Sequence, residues 1–191
     1  MALRITGGEL RGRVLRAPKG RGVRPTSARV REAIFSILGQ RLDSLRVLDL
    51  CAGAGSLGLE AASRGASHVV FVEQAREHLR VLRENTGVLD GVAQYEVRQG
   101  DARRVTGLLA SQGESFDLVF LDPPYAGGLA EELLGCLDEK AEQILATDSV
   151  VVVETSSQTD LPLSVGVLEC DSPRRYGDTH VWFYRAPQRT E

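Results

Sequence analysis

The 191-residue sequence has no stretch approaching the ~20 uninterrupted apolar residues that a membrane-crossing helix requires, so a membrane-spanning role is not expected. Cysteine is scarce: Cys51, Cys136 and Cys170 are widely spaced and form no C-x-x-C or Cys/His pattern of the kind that holds zinc. Reduced thiols packed as small apolar groups, and no metal, are the expectation. The three histidines, His68, His78 and His180, belong to no Ser-His-Asp or Cys-His set and read as structural. The N-terminus lacks the apolar core and small-residue cleavage site of an export signal, and a cytoplasmic location is expected. Lysine is nearly missing, with Lys19 and Lys140 alone, so arginine carries almost all of the positive charge.

What is present is ordinary in bulk and uneven in distribution. With 42% hydrophobic and 26% charged residues, the chain suits one soluble domain with a short appendage. Residues 1–46 hold eleven basic residues against Glu9, Glu32 and Asp43, a net of +8, while the remainder has 12 basic and 23 acidic residues, a net of −11. A basic arm on an acidic body points to a polyanion, because neutralising phosphates releases counterions. A solvated arginine-rich face is the plainer alternative.

Leu3 and Ile5 alternate with Arg4 and Thr6, Gly7-Gly8 marks a turn, and Leu10 to Leu15 follows with Arg11 and Arg13 interleaved, which predicts a basic β-hairpin. A loop rich in Pro and Gly spans Ala17 to Pro25. A helix is expected from Ser27, with Val30, Ala33, Ile34, Ile37 and Leu38 at helical spacing, ending at Gly39. From Arg46 strands and helices alternate. Strands are expected at Arg46 to Leu50, His68 to Glu73, Tyr95 to Arg98, Leu118 to Leu121 and Ser149 to Glu154, and helices at Leu57 to Arg64, Ala75 to Thr86, Ala102 to Ala110 and Leu129 to Leu145, the last broken. Such alternation predicts a parallel sheet covered on both faces. Val165 to Cys170 and Thr179 to Tyr184 are too close for a crossover helix and must be antiparallel.

Asp49-Leu50-Cys51-Ala52-Gly53-Ala54-Gly55-Ser56-Leu57-Gly58 places G-x-G-x-x-G between a strand and a helix, where the chain can turn tightly against a ligand. Glu73, 20 positions past Gly53 at the tip of the next strand, can accept from both hydroxyls of a ribose. A dinucleotide and S-adenosylmethionine then compete as cofactor. Asp49 lies four residues before the first glycine, which a pyrophosphate would avoid and a sulfonium with an amino-acid tail would tolerate. Asp101 can accept from an adenine amino group while the Ala102 amide donates to the ring. Asp101 reads equally well as a helix N-cap.

Asp122-Pro123-Pro124-Tyr125 follows the fourth strand directly. Two prolines end the strand and stiffen the backbone, holding the Asp122 carboxylate and a neighbouring carbonyl as two fixed acceptors. An exocyclic aromatic amine offers two N–H donors, and its delocalised lone pair becomes nucleophilic only when those donors are gripped. Tyr125 offers a ring on which an extruded base stacks. A turn with Tyr125 in the core is the plainer reading, and the glycine loop in the same sheet weighs against it.

Asp49 to Gly58, Glu73, Asp101 and Asp122 to Tyr125 together resemble the motif set of class I Rossmann-like methyltransferases. Gly7-Gly8 with Arg11-Gly12-Arg13, Arg24-Pro25-Thr26 with Arg29-Val30-Arg31-Glu32, Leu57-Gly58-Leu59-Glu60-Ala61, Ser63-Arg64-Gly65-Ala66 and Arg175-Tyr176-Gly177-Asp178 sharpen the likeness. Over residues 3 to 185 the chain resembles the bacterial 16S ribosomal RNA guanine-N2 methyltransferase family of the RsmD type. The resemblance implies a seven-stranded, mostly parallel α/β sheet with an antiparallel C-terminal hairpin. A basic N-terminal hairpin and helix over residues 1–45 would precede a methyltransferase domain over 46–187. It implies an enzyme that uses S-adenosylmethionine to methylate one guanine of 16S ribosomal RNA, in a 30S particle or an assembly intermediate, and a monomer is the expectation. Glu73 would hold the ribose, Asp101 and Ala102 the adenine, and Asp49, Gly53 and Gly55 the methionine end. Asp122 and Pro123, stiffened by Pro124, would orient the guanine amine, with Tyr125 stacking. Charge and placement, rather than motif, assign Arg11, Arg13, Arg24 and Arg31 to RNA phosphates.

An adenine-N6 methyltransferase of DNA or RNA, which shares Asp-Pro-Pro-Tyr, is the second reading. A glutamine methyltransferase would begin that motif with Asn, a nicotinamide dehydrogenase would need a hydride partner and proton relay, and a non-catalytic RNA-binding module would not need both motifs.

Overall fold

The computed structural model describes residues 3–18, 27–124 and 128–186. Six parallel or antiparallel long strands form its centre: β3 (Arg46–Leu50), β4 (His68–Glu73), β5 (Gln94–Gln99), β6 (Phe116–Leu121), β7 (Leu145–Ser156) and β11 (Thr179–Arg185). Around them lie short strands β1 (Leu3–Arg4), β2 (Val14–Leu15), β8 (Ser164–Val165), β9 (Leu168–Glu169) and β10 (Arg174–Tyr176). The helices are α1 (Ala28–Leu38), α2 (Ser56–Ser63), α3 (Arg76–Thr86), α4 (Ala102–Ser111), α5 (Leu129–Asp138) and α6 (Ala141–Ile144). The main sheet runs β5-β4-β3-β6-β7-β11-β9-β8, with β10 paired to β11, and β3 to β7 are mutually parallel. Strand β11 returns antiparallel against β7.

Alternation within each strand divides the interior in two. Val47, Val69, Phe71, Leu118, Phe120 and Val152 face the layer of α1, α2 and α3, whereas Leu48, Val70, Val72, Val119, Leu121 and Val151 face α4, α5 and α6. Leu3, Ile5 and Leu15 of the arm join the first of these cores. The architecture is the expected α/β one, with nine strands rather than seven. The strand expected over Val165 to Cys170 is divided, because Gly166 turns at φ +54° and the Asp138 carboxylate accepts from the Val167 amide at 2.7 Å.

The N-terminal hairpin also pairs over a shorter span than its alternation predicts, with Leu3↔Leu15 and Arg4↔Val14 in register. Its tip turns its amides toward α2. The Glu60 carboxylate, fully buried on α2, accepts from the Thr6 amide (2.8 Å), the Thr6 hydroxyl (2.7 Å) and the Gly7 amide (2.7 Å). The Ser63 carbonyl accepts from the Glu9 amide at 2.7 Å. Arg64 donates to Glu60 from Nε (3.0 Å) and Nη2 (2.8 Å), with its guanidinium 4.8 Å from the centre of the Phe35 ring. Arg31 Nε lies 3.7 Å from the same carboxylate and Nη2 donates to the Arg4 carbonyl at 2.6 Å.

Arg31 therefore corrects the expectation that it meets RNA phosphates: it is 1% exposed, and burial in a polar network sets its role. Burial lowers its pKa, and the charges of Glu60, Glu32 and Glu154 oppose that shift. Removing one partner of such a buried set strands the others without compensation. Glu60→Ala should cost about 3–5 kcal/mol in urea unfolding and expose the arm to limited proteolysis, whereas a loss below about 1 kcal/mol would show that the network contributes little.

Candidate active site

The parallel register brings the ends of four adjacent strands to one edge. Glu73↔Gln99, Leu50↔Val72 and Leu50↔Leu121 are paired, so Asp101, Glu73, the glycine loop and Asp122 follow β5, β4, β3 and β6 in that spatial order. This is the edge at which open α/β sheets bind ligands.

Asp49 sits one residue before the end of β3, fully buried, and its Oδ2 accepts from the Gly58 amide at 2.9 Å. Gly58 lies in the first turn of α2, where orphan amides would otherwise bind a phosphate. The Asp49 carboxyl already takes up that amide, so a pyrophosphate would find the donor occupied. Burial pushes the Asp49 carboxyl up to about 7, opposed by the Gly58 hydrogen bond and reinforced by the charge of Glu73.

The glycines of the loop divide by role. Gly55 (φ +83°) and Gly58 are packing positions, since a Cβ would come within 2.6 Å of Leu82 and 2.3 Å of Phe71 respectively. Gly53 (φ +57°) has open space where its Cβ would point, leaving its backbone accessible to a ligand. Its amide donates to Glu73 Oε2 at 2.8 Å, while Glu73 Oε1 accepts from Ala75 at 2.6 Å. Glu73 is thus fixed in place by two backbone donors, and each oxygen keeps a further lone pair for a hydroxyl. Asn85, near the end of α3, donates to Ala54 of the loop and to the Arg16 carbonyl, both at 2.9 Å, and accepts from the Arg16 amide at 2.8 Å. One side chain therefore ties the loop to the arm.

Asp101 caps α4, accepting from the amides of Arg103 (3.0 Å) and Arg104 (3.4 Å) rather than from that of Ala102. Its side chain also pairs with Arg103 at 2.7 Å, and hydrogen bonding from Arg103 holds the carboxyl down at about 2. In this arrangement the capping role expected of Asp101 is occupied. Asp122 is half-buried, Pro123 buried and Pro124 exposed at the end of β6. Tyr125 lies outside the described residues, as does Arg24.

Cys51 reports the field of the cleft. Its thiol is pushed up to about 12 by burial and by the charges of Glu73, Asp49, Asp122 and Asp101, which makes it a poor nucleophile. Four carboxylates converging on one strand edge fit a cationic ligand rather than an anionic one. Among the described residues no group of three or more His, Cys, Asp and Glu is placed to hold a metal ion. Arg11 and Arg13 are exposed at the tip of the arm.

Glu60 and Asn85, which fix the arm and the loop, belong to no catalytic motif. A single carboxylate within the otherwise uncharged segment Ser56 to Ser63 is the sequence signal for Glu60. No comparable signal marks Asn85.

The family model described as Conserved hypothetical protein 95 matches residues 3–185. Ribosomal RNA small subunit methyltransferase D of Escherichia coli is 37% identical, over 84% of this chain and 78% of the relative. YlbH of Bacillus subtilis is 36% identical, over 96% of this chain and 98% of its own. The structure of yhhF from Escherichia coli superposes with a TM-score of 0.83 at 29% identity, covering 98% and 99% of the two chains.

An unfolded aspartate titrates near 3.9. Between about pH 4 and about pH 7 the folded chain keeps a proton that the unfolded chain has released, so the Asp49 contribution to stability falls as pH rises through that window. Asp49→Asn abolishes this titration. Relative to wild type, the variant should gain stability from about pH 4 to about pH 7 and level off above that, at no more than about 1.4 kcal/mol per pH unit. Denaturant unfolding across that range checks it, and a constant difference would refute a raised Asp49.

Proposed function

The chain belongs to the Conserved hypothetical protein 95 family, the RsmD type of ribosomal RNA methyltransferase, and from that premise we propose that it methylates the exocyclic N2 of one guanine in 16S ribosomal RNA, using S-adenosylmethionine. The observation that carries this reading is the placement of Asp122-Pro123 at the end of β6, beside the glycine loop that ends β3.

The site chemistry supports the cofactor. Glu73, already oriented by Gly53 and Ala75, receives the ribose hydroxyls. Asp49 and the open backbone at Gly53, with Gly55, hold the methionine end, and the filled amide of Gly58 disfavours a dinucleotide. Asp101 and Ala102 take the adenine, which requires Asp101 to share its carboxylate between Arg103 and the base. When bound, the sulfonium supplies an activated methyl group.

The protein's part in transfer is positioning. The Asp122 carboxylate and the carbonyl of Pro123 accept the two N–H groups of the guanine amine, turning its lone pair toward the methyl. The buried Pro123 and the adjoining Pro124 keep those acceptors still. Tyr125 stacks on the base. The exposed Arg11 and Arg13, with Arg24, meet backbone phosphates, and the target is an unpaired nucleotide in a 30S particle or assembly intermediate.

Asp122→Ala should lower methyl transfer to 30S particles by at least about 100-fold while leaving S-adenosylhomocysteine affinity unchanged. Retained turnover would remove Asp122 from the mechanism. Mass analysis of 16S ribosomal RNA from cells lacking the protein should show the loss of one N2-methylguanine, and loss of an N6-methyladenine instead would move the substrate to adenine.

A further inference from the structure

The basic charge of the arm does not end at residue 46. On α3, Arg76, Arg80 and Arg83 recur at i, i+4 and i+7, which puts them on one solvent-facing stripe, while Leu79, Leu82 and Asn85 turn inward. With Leu79, Glu84 and Gln99 they line an open groove of about 490 Å³ between α3 and the end of β5. Arg76 lies three residues past Glu73, at the rim of the cleft. Arg83 stands at the other end of the stripe, ~10 Å along the helix.

Beside it the arm leaves the body. Asn85 grips the Arg16 backbone from both sides, and Arg16 Nη1 lies 2.9 Å from Glu84, which also pairs with Arg80 at 3.0 Å. Glu84 thus serves two arginines at once. Arg76 and Arg83 have no ion pair among the described residues. Like charges one helical turn apart cost a few tenths of a kcal/mol when nothing bridges them, so the stripe suits a ligand with several negative charges in a row. In the other layer α5 and α6 contain Glu131, Glu132, Asp138 and Glu142 and no basic residue, and the basic residues of α4 are Arg103, paired with Asp101 and Glu132, and Arg104.

We propose that the arginine face of α3 is a second RNA-binding surface, which holds consecutive backbone phosphates flanking the methylated nucleotide and continues the track begun by Arg11 and Arg13. The inference rests on the ribosomal RNA reading given above and extends it to a surface outside the arm and the cleft. The stripe makes no base contacts, so it contributes affinity and orientation without sequence discrimination. RNA lies across the α3 side of the molecule and away from α5.

The experiment is equilibrium binding of 16S ribosomal RNA, or of 30S particles, over a range of salt concentrations. Arg76→Gln/Arg80→Gln/Arg83→Gln keeps good helix formers at all three positions. It should reduce the slope of log affinity against log salt by about 2–3, with an affinity loss of roughly 100-fold near 0.1 M salt. S-adenosylhomocysteine affinity, and transfer at saturating RNA, should be unchanged. Arg76→Lys/Arg80→Lys/Arg83→Lys should keep the wild-type slope, since a phosphate accepts either charge. A glutamine variant with wild-type slope and affinity, while wild type transfers methyl groups normally, overturns the inference and leaves the proposed function standing. A lysine variant as weak as the glutamine one also overturns it, because the effect would then be structural. Absence of RNA binding by wild type would remove both readings together.

Discussion

The buried carboxylate of Glu60 is the constraint on which the rest of the molecule depends. It accepts from the arm through Thr6 and Gly7, neutralises Arg64 on its own helix, and lies beside Arg31 of α1. Helix α2 is also the helix that the glycine loop opens. One charge in a dry interior therefore fixes the N-terminal arm relative to the glycine loop. A buried ion set of this kind is weak as a source of net stability, because desolvation offsets much of the attraction. What it provides here is geometry: donors at several angles meet a single acceptor group, and only one placement of the arm satisfies them all.

The second constraint is electrostatic segregation. Asp49, Glu73, Asp101 and Asp122 gather where four parallel strands end, and burial, with their field added to it, raises the Cys51 thiol to about 12. Such a cleft repels the backbone of a nucleic acid. Arginines without an ion pair among the described residues stand on the arm, as Arg11 and Arg13, and on α3, as Arg76 and Arg83, while Arg103 at the acidic edge is taken up by Asp101 and Glu132. Under the proposed function a polyanion is held at the rim while a single neutral base enters the cleft, which separates affinity from chemistry in space. The same field favours a cofactor bearing positive charge, so one set of carboxylates serves both ends of the reaction.

Most of this was legible in the sequence because it depends on period and punctuation. Strands such as Arg46–Leu50 and His68–Glu73 fall where their apolar runs predict, since a strand buried on both faces leaves an unbroken hydrophobic signature. The C-terminal region was less legible: a single glycine at 166, clamped by Asp138 from another helix, breaks a run that local pattern alone would continue. Asp101 is decided locally: its capping of α4 and its pairing with Arg103 involve residues two and three positions on, so the N-cap was legible in the sequence. The acidic edge could be read from motifs. The bracing by Glu60 and Asn85 could not, because their partners lie 53 and 69 residues away in the chain.

Charge counting is where sequence and structure part most clearly, and the reason is general. Of the basic residues in the first 46, Arg31 is consumed inside the protein, Arg41 pairs with Asp43, Arg46 pairs with Glu114 and packs on Phe116, and Arg16 is shared with Glu84. Arg11, Arg13 and Arg29 are exposed and without an ion pair among the described residues. A net charge of +8 thus overstates what the segment can offer to RNA. Conversely, α3 has a nearly balanced composition, with three arginines against Glu77 and Glu84, yet its arginines share one stripe. Counterion release depends on how many cations meet phosphates, not on the sum over a segment. A surface suited to a polyanion is therefore set by which charges the fold leaves unpaired and aligned; on α3 Arg76 and Arg83 meet both conditions among the described residues, and Arg80 between them shares Glu84 with Arg16.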